Sequence, residues 1–181
     1  MREISCVSSN PHKLAEFKQI LAPFGYEVVP LHKPKLEIQA DSLEEIASYS
    51  LDQFSDINCF VEDAGLFVDD LNGFPGPYSA YVYRTLGCAG VLRLLRNQTS
   101  RKAQFSSVIA LRNANGDKKI FRGDTVGLIA SEERGTGGFG FDPIFVPKGA
   151  TKTYAEMEPM RKNAVSHRGK AAQILRKYLE K

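Results

Sequence analysis

The stretch Phe60-Val61-Glu62-Asp63-Ala64-Gly65-Leu66-Phe67-Val68 constrains the fold more than any other part of this chain. Two short apolar runs flank an acidic pair and a glycine, and apolar runs this short, bounded by a break, mark buried strand rather than helix. Two carboxylates at the exposed end of a buried strand are costly unless a positive charge meets them, and a metal ion is the obvious one. The same residues also fit a turn whose acids face water. These nine residues do not separate the two readings, so the rest of the chain must.

A length of 181 residues suits one domain, or one domain with two lobes, with room for a substantial core. A net charge of +3 fits an anionic small molecule and gives no sign of nucleic acid or membrane. Cys6, Cys59 and Cys88 are far apart among apolar neighbours, which reads as buried reduced thiols in a cytoplasmic protein. The chain runs straight into Arg2-Glu3-Ile4 without an apolar signal core, and no apolar run approaches the ~18 residues that span a bilayer.

Ile4 to Ser8 predicts a strand, followed by Ser8-Ser9-Asn10-Pro11-His12-Lys13 and a helix with Leu14, Phe17, Ile20, Leu21 and Phe24 on one face. Asn10 suits an N-cap and Pro11 the first helical position. The free N–H groups of that helix start, its dipole and Lys13 can face an anion; an ordinary capped helix with a solvated lysine is the alternative. The spacing is not that of a P-loop. Tyr26 to Pro30 predicts a second strand. Lys33 to Gln39 alternates apolar and polar, predicting an extended segment that puts Glu37 to one side. Ser42 and Glu45 form a capping box for a helix bearing Leu43, Ile46, Ala47, Leu51 and Phe54. The Pro/Gly-rich run Asn72 to Tyr78 forces a loop with aromatics suited to a cleft rim. A helix around Val91 to Leu95 follows, then strands at Phe105 to Leu111, Lys119 to Phe121 and Thr125 to Ala130, the first two joined by a turn at Asn113 to Asp117.

Gly135-Thr136-Gly137-Gly138-Phe139-Gly140 has the spacing of a dinucleotide fingerprint, but Pro143 blocks the helix which that motif requires. The segment reads instead as a glycine loop presenting Phe139, Phe141 and Asp142. Two exposed rings beside an acid can stack on a base and pair with its edge; equally, both rings can pack into the core. Near the end, Ser166 caps a closing helix bearing Ala171, Ile174, Leu175, Tyr178 and Leu179. His167 and Arg168 then sit where the helix dipole disfavours cations, which suggests an anionic or carbonyl-bearing partner or simply a solvated surface.

Four segments taken together, S-S-N-P-H-K at 8–13, E-D-A-G-L at 62–66, F-G-F-D-P at 139–143 and S-H-R-G-K at 166–170, with F-P-G-P-Y at 74–78, resemble the inosine triphosphate pyrophosphatase (XTP/dITP diphosphatase) family across essentially the whole chain. The resemblance implies an elongated α/β fold: a mixed sheet flanked by helices, in two lobes around a central substrate cleft, formed by residues 1–181 as a single domain and usually paired as a homodimer. It implies Mg²⁺-dependent hydrolysis of ITP, dITP and XTP to the monophosphate and pyrophosphate. Carried across by position, Ser8, Ser9, Asn10 and Lys13 would hold the triphosphate, and Ala64 lies in the same substrate-binding stretch as Asp63. Glu37 and Asp63 would be the metal-binding carboxylates, with Asp63 also the proton acceptor for the attacking water. Phe139 would stack on the purine, Gly140, Phe141 and Asp142 would complete the wall, and Lys162, Ser166, His167 and Arg168 would read the base.

Ala64 stands where many relatives carry a hydroxyl, and Tyr49 lies near the place of a lysine aimed at the phosphates. Lys35 or Arg84 is the expected compensation. A triphosphate carries about four negative charges, so attack by hydroxide needs metal and lysine to neutralise them; Glu37 and Asp63 supply the minimum for Mg²⁺, and Glu62 is placed to orient the attacking water. Two other readings stand beside this one: a pyrophosphatase for other modified nucleotides, and a nucleotide- or RNA-binding module without catalysis. The clustered acids at 62–63 and 69–70 disfavour the latter.

Overall fold

The computed structural model describes residues 2–180. Strands β1 (Arg2–Cys6) and β2 (Tyr26–Pro30) are parallel and joined through helix α1 (Pro11–Leu21). Helix α2 (Leu43–Asp52) leads to β3 (Cys59–Val68), which is parallel to β1. The rest is antiparallel: β4 (Pro75–Gly76) pairs with β3, then β5 (Lys102–Arg112), β6 (Lys118–Ile129) and β7 (Phe145–Pro147) pair in turn. Helices α3 (Ser79–Thr85) and α4 (Gly87–Leu94) fall between β4 and β5, while α5 (Pro159–Val165) and α6 (His167–Leu179) close the chain. Among the described residues the sheet has seven strands in the order β2-β1-β3-β5-β6-β7, with β4 beside β3. No helix among the described residues is long and apolar enough to cross a membrane.

Side-chain alternation explains the two lobes. One face of β3 carries Phe60, Glu62, Ala64, Leu66 and Val68. At its Phe60 end, α1 and α6 bury Phe17, Leu21 and Leu175 against Ile4, Phe60, Ile109 and Leu111. At its Val68 end, Val82, Val91 and Leu95 from α3, α4 and their flank pack with Leu66, Phe105, Phe145 and Tyr154. Between these two apolar bodies the same face is polar, with Glu62 and Ser107 both buried. On the opposite face α2 covers Val61, Val108 and Ala110 through Leu43, Ala47 and Leu51.

Some expectations are corrected. The acidic pair does not end a strand: β3 is unbroken over ten residues, because alternation sends Glu62 and Asp63 to opposite faces, each with its own surroundings. Two strands expected on either side of Gly123 are the single β6. Gly123 is a contact point, since a Cβ there would lie 2.3 Å from the backbone of both Ala171 and His167. Residues 33–39 form no strand; Gln53 pins them by accepting from the Leu36 N–H and donating to its carbonyl, both at 2.7 Å. Ser42 caps α2 by accepting the Glu45 N–H at 3.1 Å, with no return bond from the Glu45 side chain among the described residues. Phe24 lies beyond α1, in a 3-10 turn (Ala22–Phe24). The three cysteines are free and buried, as expected.

Candidate active site

The site arises where the sheet has an open edge. β1 pairs with β3 only as far as Phe60, and β4 meets β3 from Leu66 onward. β5 occupies the other edge throughout, so residues 61–65 lack a strand neighbour on the β1 side among the described residues. Along that gap lies a cavity of about 680 Å³. Because it follows the edge, it receives side chains from both faces of β3. Ser8, Ser9, Asn10, Lys13, Glu37, Asp63, Ala64, Phe139, Gly140, Phe141, Asp142, His167 and Arg168 all line it, with His12, Lys35, Glu62 and Arg84. Lys162 and Ser166, expected at the base, do not line it. Lys162 stands behind the wall, and Ser166 is the N-cap of α6, its hydroxyl accepting the Gly169 N–H at 3.1 Å.

At the α1 end, Asn10 caps the helix: its Oδ1 accepts the N–H groups of His12 and Lys13 at 2.9 and 3.3 Å. The helix-start N–H groups expected to be free are therefore partly taken, and the Asn10 N–H donates to Ser8 Oγ at 3.1 Å. The donors left for an anion include the Ser8 and Ser9 hydroxyls, the Asn10 side-chain amide and the Lys13 amine.

Lys13 begins a chain of alternating charge that crosses the polar waist. Its Nζ lies 2.8 Å from Glu62 Oε2, and Arg168 Nε lies 3.1 Å from Glu62 Oε1. Arg168 Nη1 and Lys162 Nζ divide the two oxygens of Glu16 at 2.5 and 2.6 Å, and Lys162 also meets Asp142 Oδ2 at 2.6 Å. Ser107 Oγ donates to Glu62 Oε1 at 2.6 Å. Burial works against the Glu62 charge, but Arg168 and Lys13 outweigh it and hold the carboxyl far below its usual value. Burial likewise opposes the Lys13 charge, and Glu62 and Asp63 more than restore it. Oε1 is hydrogen-bonded to Ser107 and Arg168, while Oε2 meets Lys13 as an ion pair and has no hydrogen bond among the described residues, so this residue organises the cations. The anionic partners inferred for Arg168 are carboxylates of the protein itself.

Asp63, on the other face, has no such partner among the described residues. The residue is partly buried and lines the cavity. Burial pushes its carboxyl up to about 6, with Glu62 and Glu37 adding to the effect and Lys13 and Lys35 opposing it. Glu37 shares the cavity and pairs with Lys35 at 2.7 Å. Burial raises its carboxyl, but Lys35, Lys13 and Arg84 bring it below the usual value.

At the far end, the glycine loop presents Phe139 half-buried, whereas Phe141 is not the exposed ring that was expected. Phe141 is only 3% exposed and packs edge-on to Tyr83 at 5.4 Å, because its side of the loop faces the second apolar body. Asp142 is buried; its Oδ2 accepts the Phe139 N–H at 2.8 Å, which fixes the loop and leaves Oδ1 without a partner among the described residues. The His12 ring stacks on Phe139 (5.1 Å between centroids, 16° between planes), and Lys162 and Arg168 lie 4.9 and 5.3 Å from the same ring. His167 stacks on Phe105 at 4.5 Å, and its Nδ1 is buried without a hydrogen-bond partner among the described residues. Burial, helped by neighbouring Arg168, keeps this imidazole neutral near pH 7, so it offers one donor and one acceptor.

Glu16, Ser107, Phe105 and the His12 stack escaped sequence reasoning. Glu16 had a usable signal, since it lies three residues after Lys13 on α1 and so shares its face.

The model of the Ham1 family matches residues 4–178. The chain is 49% identical over 180 residues to the dITP/XTP pyrophosphatase of Thermococcus kodakarensis, covering 98% of this chain and 97% of that protein. It is 47% identical over 181 residues to that of Hyperthermus butylicus, covering 98% and 95%. Among solved structures, a HAM1 protein from Coxiella burnetii superposes with a TM-score of 0.85 at 32% identity, covering 99% of each chain. A half-length match or a remote fold likeness would leave kinship open, but agreement of this depth over the full cavity-bearing sheet does not: the chain belongs to the Ham1 family.

Proposed function

We propose that this chain is a nucleoside triphosphate pyrophosphatase that hydrolyses deaminated purine nucleotides, dITP, ITP and XTP, to the monophosphate and pyrophosphate. In this reading it clears such nucleotides from the cytoplasmic pool as a homodimer with Mg²⁺. The observation that carries the reading is a single cavity joining Asp63 and the Lys13 helix start to an aromatic wall backed by buried Arg168.

The donor set suits Mg²⁺. Among the described residues no three His, Cys, Asp or Glu side chains gather as a closed metal cage, while Glu37 and Asp63 offer carboxylate oxygens to one cavity. Mg²⁺ keeps several waters and is held by one or two carboxylates plus substrate phosphates, so these two would hold it; when bound, it neutralises triphosphate charge. Lys13, Ser8 and Asn10 orient the phosphates. Asp63, pushed up to about 6, suits a general base working near neutral pH. It takes a proton from the attacking water as oxygen bonds to the α-phosphorus and the bond to the departing pyrophosphate breaks.

Base choice follows from hydrogen-bond polarity. Hypoxanthine and xanthine present a keto acceptor where adenine presents an amino donor. The Nη2 donors of Arg168, the ones that Glu16 and Glu62 do not engage, would face adenine unpaired, a mismatch of several kcal/mol, or roughly 10⁴-fold where fully buried.

Turnover of dITP compared with dATP and dGTP, with Mg²⁺ and with chelator, tests the reading. Preferential, chelator-sensitive release of pyrophosphate from dITP is the expected result. Equal rates on all three would remove the specificity, and indifference to chelator would remove the metal.

A further inference from the structure

The cavity is lined by four cations and four carboxylates, which leaves it without net charge to offer a triphosphate. The cations differ in how they are engaged. Lys13 is paired with Glu62, Lys35 with Glu37, and Arg168 with both Glu16 and Glu62. Arg84 alone among them has no ion-pair or hydrogen-bond partner among the described residues. It lines the same cavity as Lys13, Lys35, Glu37 and Asp63, and its charge helps to lower the Glu37 carboxyl alongside Lys35 and Lys13.

Its position is also fixed by the fold. The first residue of α3, Ser79, ties the helix to the sheet: its Oγ accepts the Leu66 N–H at 2.8 Å and donates to the Gly76 carbonyl at 2.7 Å. Tyr83 then packs edge-on against Phe141 at 5.4 Å. Arg84 follows directly in the last turn of α3, so an anchored backbone carries a guanidinium that no carboxylate of the described residues holds. We infer that Arg84 is a substrate-binding residue that grips the terminal phosphates of the triphosphate, the part that leaves as pyrophosphate. A guanidinium fits this task because its fork of N–H donors matches two phosphate oxygens at once. Binding would then not require the breaking of any ion pair of the protein, unlike recruitment of Lys35 or Arg168.

This inference rests on the proposed activity, and the test keeps the two apart. Arg84→Met and Arg84→Lys are compared with the unaltered chain in dITP turnover, in inhibition by inorganic pyrophosphate, and in calorimetric binding of dIMP and of tripolyphosphate. Arg84→Met is expected to raise KM for dITP and weaken pyrophosphate and tripolyphosphate binding by about 10- to 100-fold, the loss typical of a charged hydrogen-bonding pair. Binding of dIMP, which lacks those phosphates, should stay within about twofold, and Arg84→Lys should recover part of the loss. Unchanged pyrophosphate inhibition, or an equal loss of dIMP binding, would overturn the assignment. If the unaltered chain leaves dITP intact, the proposed activity fails, while tripolyphosphate binding still reports on Arg84.

Discussion

Glu62→Gln is the sharpest test of how the two lobes are held together. The carboxyl is 4% exposed and meets Ser107 at 2.6 Å, Lys13 at 2.8 Å and Arg168 at 3.1 Å. Glutamine keeps the shape but removes the anion, leaving two cations facing a neutral amide. Breaking a buried ion pair by removing one partner costs about 3–5 kcal/mol. Arg168 retains Glu16, so the lower end applies, about 3 kcal/mol. For a chain of this size each kcal/mol moves Tm by about 2–4 °C, which gives a fall of about 6–12 °C in thermal unfolding followed by circular dichroism. The pH dependence has a definite sign. A carboxyl held below its usual value contributes stability that is complete above the unfolded glutamate value of ~4.3 and fades as pH falls toward the depressed folded value. The gap between the two proteins should therefore be the same at pH 7 and pH 5.5, and shrink only in stronger acid. A second substitution, Arg168→Met, should destabilise the variant less than it destabilises the unaltered chain, because one stranded cation is gone. A Tm fall below about 2 °C, on the scale of a surface change, or strict additivity of the two substitutions, would refute the reasoning.

Three further outcomes are expected. Asp63→Asn should lower kcat by about 10²–10⁴-fold without lowering Tm, since it removes a charge that burial disfavours; retained turnover would move the role to Glu37, which shares the cavity. Phe139→Ala should raise KM for dITP by up to about tenfold through lost stacking, and His12→Ala, which uncovers that ring, should lower KM a few-fold; unchanged values in steady-state kinetics would place the base elsewhere. Gly123→Ala should cost about 1–3 kcal/mol by pressing a methyl into the backbone of α6 and should also raise KM, because His167 and Arg168 stand on that turn; an unaltered melting curve would show that α6 can yield.

Much of the site was legible because its residues cluster in short, chemically distinctive runs: Ser8 to Lys13, Glu62 to Ala64, Phe139 to Asp142 and His167-Arg168 all reach one cavity. What could not be read was how each residue is engaged. Lys162 and Arg168 look like free basic groups in a linear string, but Glu16, more than 140 residues earlier, divides its oxygens between them. Alternation identified strands where one side was apolar. It failed at Glu62-Asp63 and at Gly123, where a polar pair and a glycine imitate the end of a strand but sit at its centre. Phe139 and Phe141, two residues apart in one loop, had the same sequence character; only the packing of Tyr83 separates a core ring from a cleft ring.

The unbroken course of β3 and β5 beneath both apolar bodies limits how this molecule can respond to what it holds. Their ten-residue ladder acts as a keel: swinging one half against the other would shear hydrogen bonds along its whole length. Adjustment to a nucleotide therefore falls to the rims, the segment around Glu37 and the glycine run before Phe139, while the floor beneath the reacting phosphate stays still.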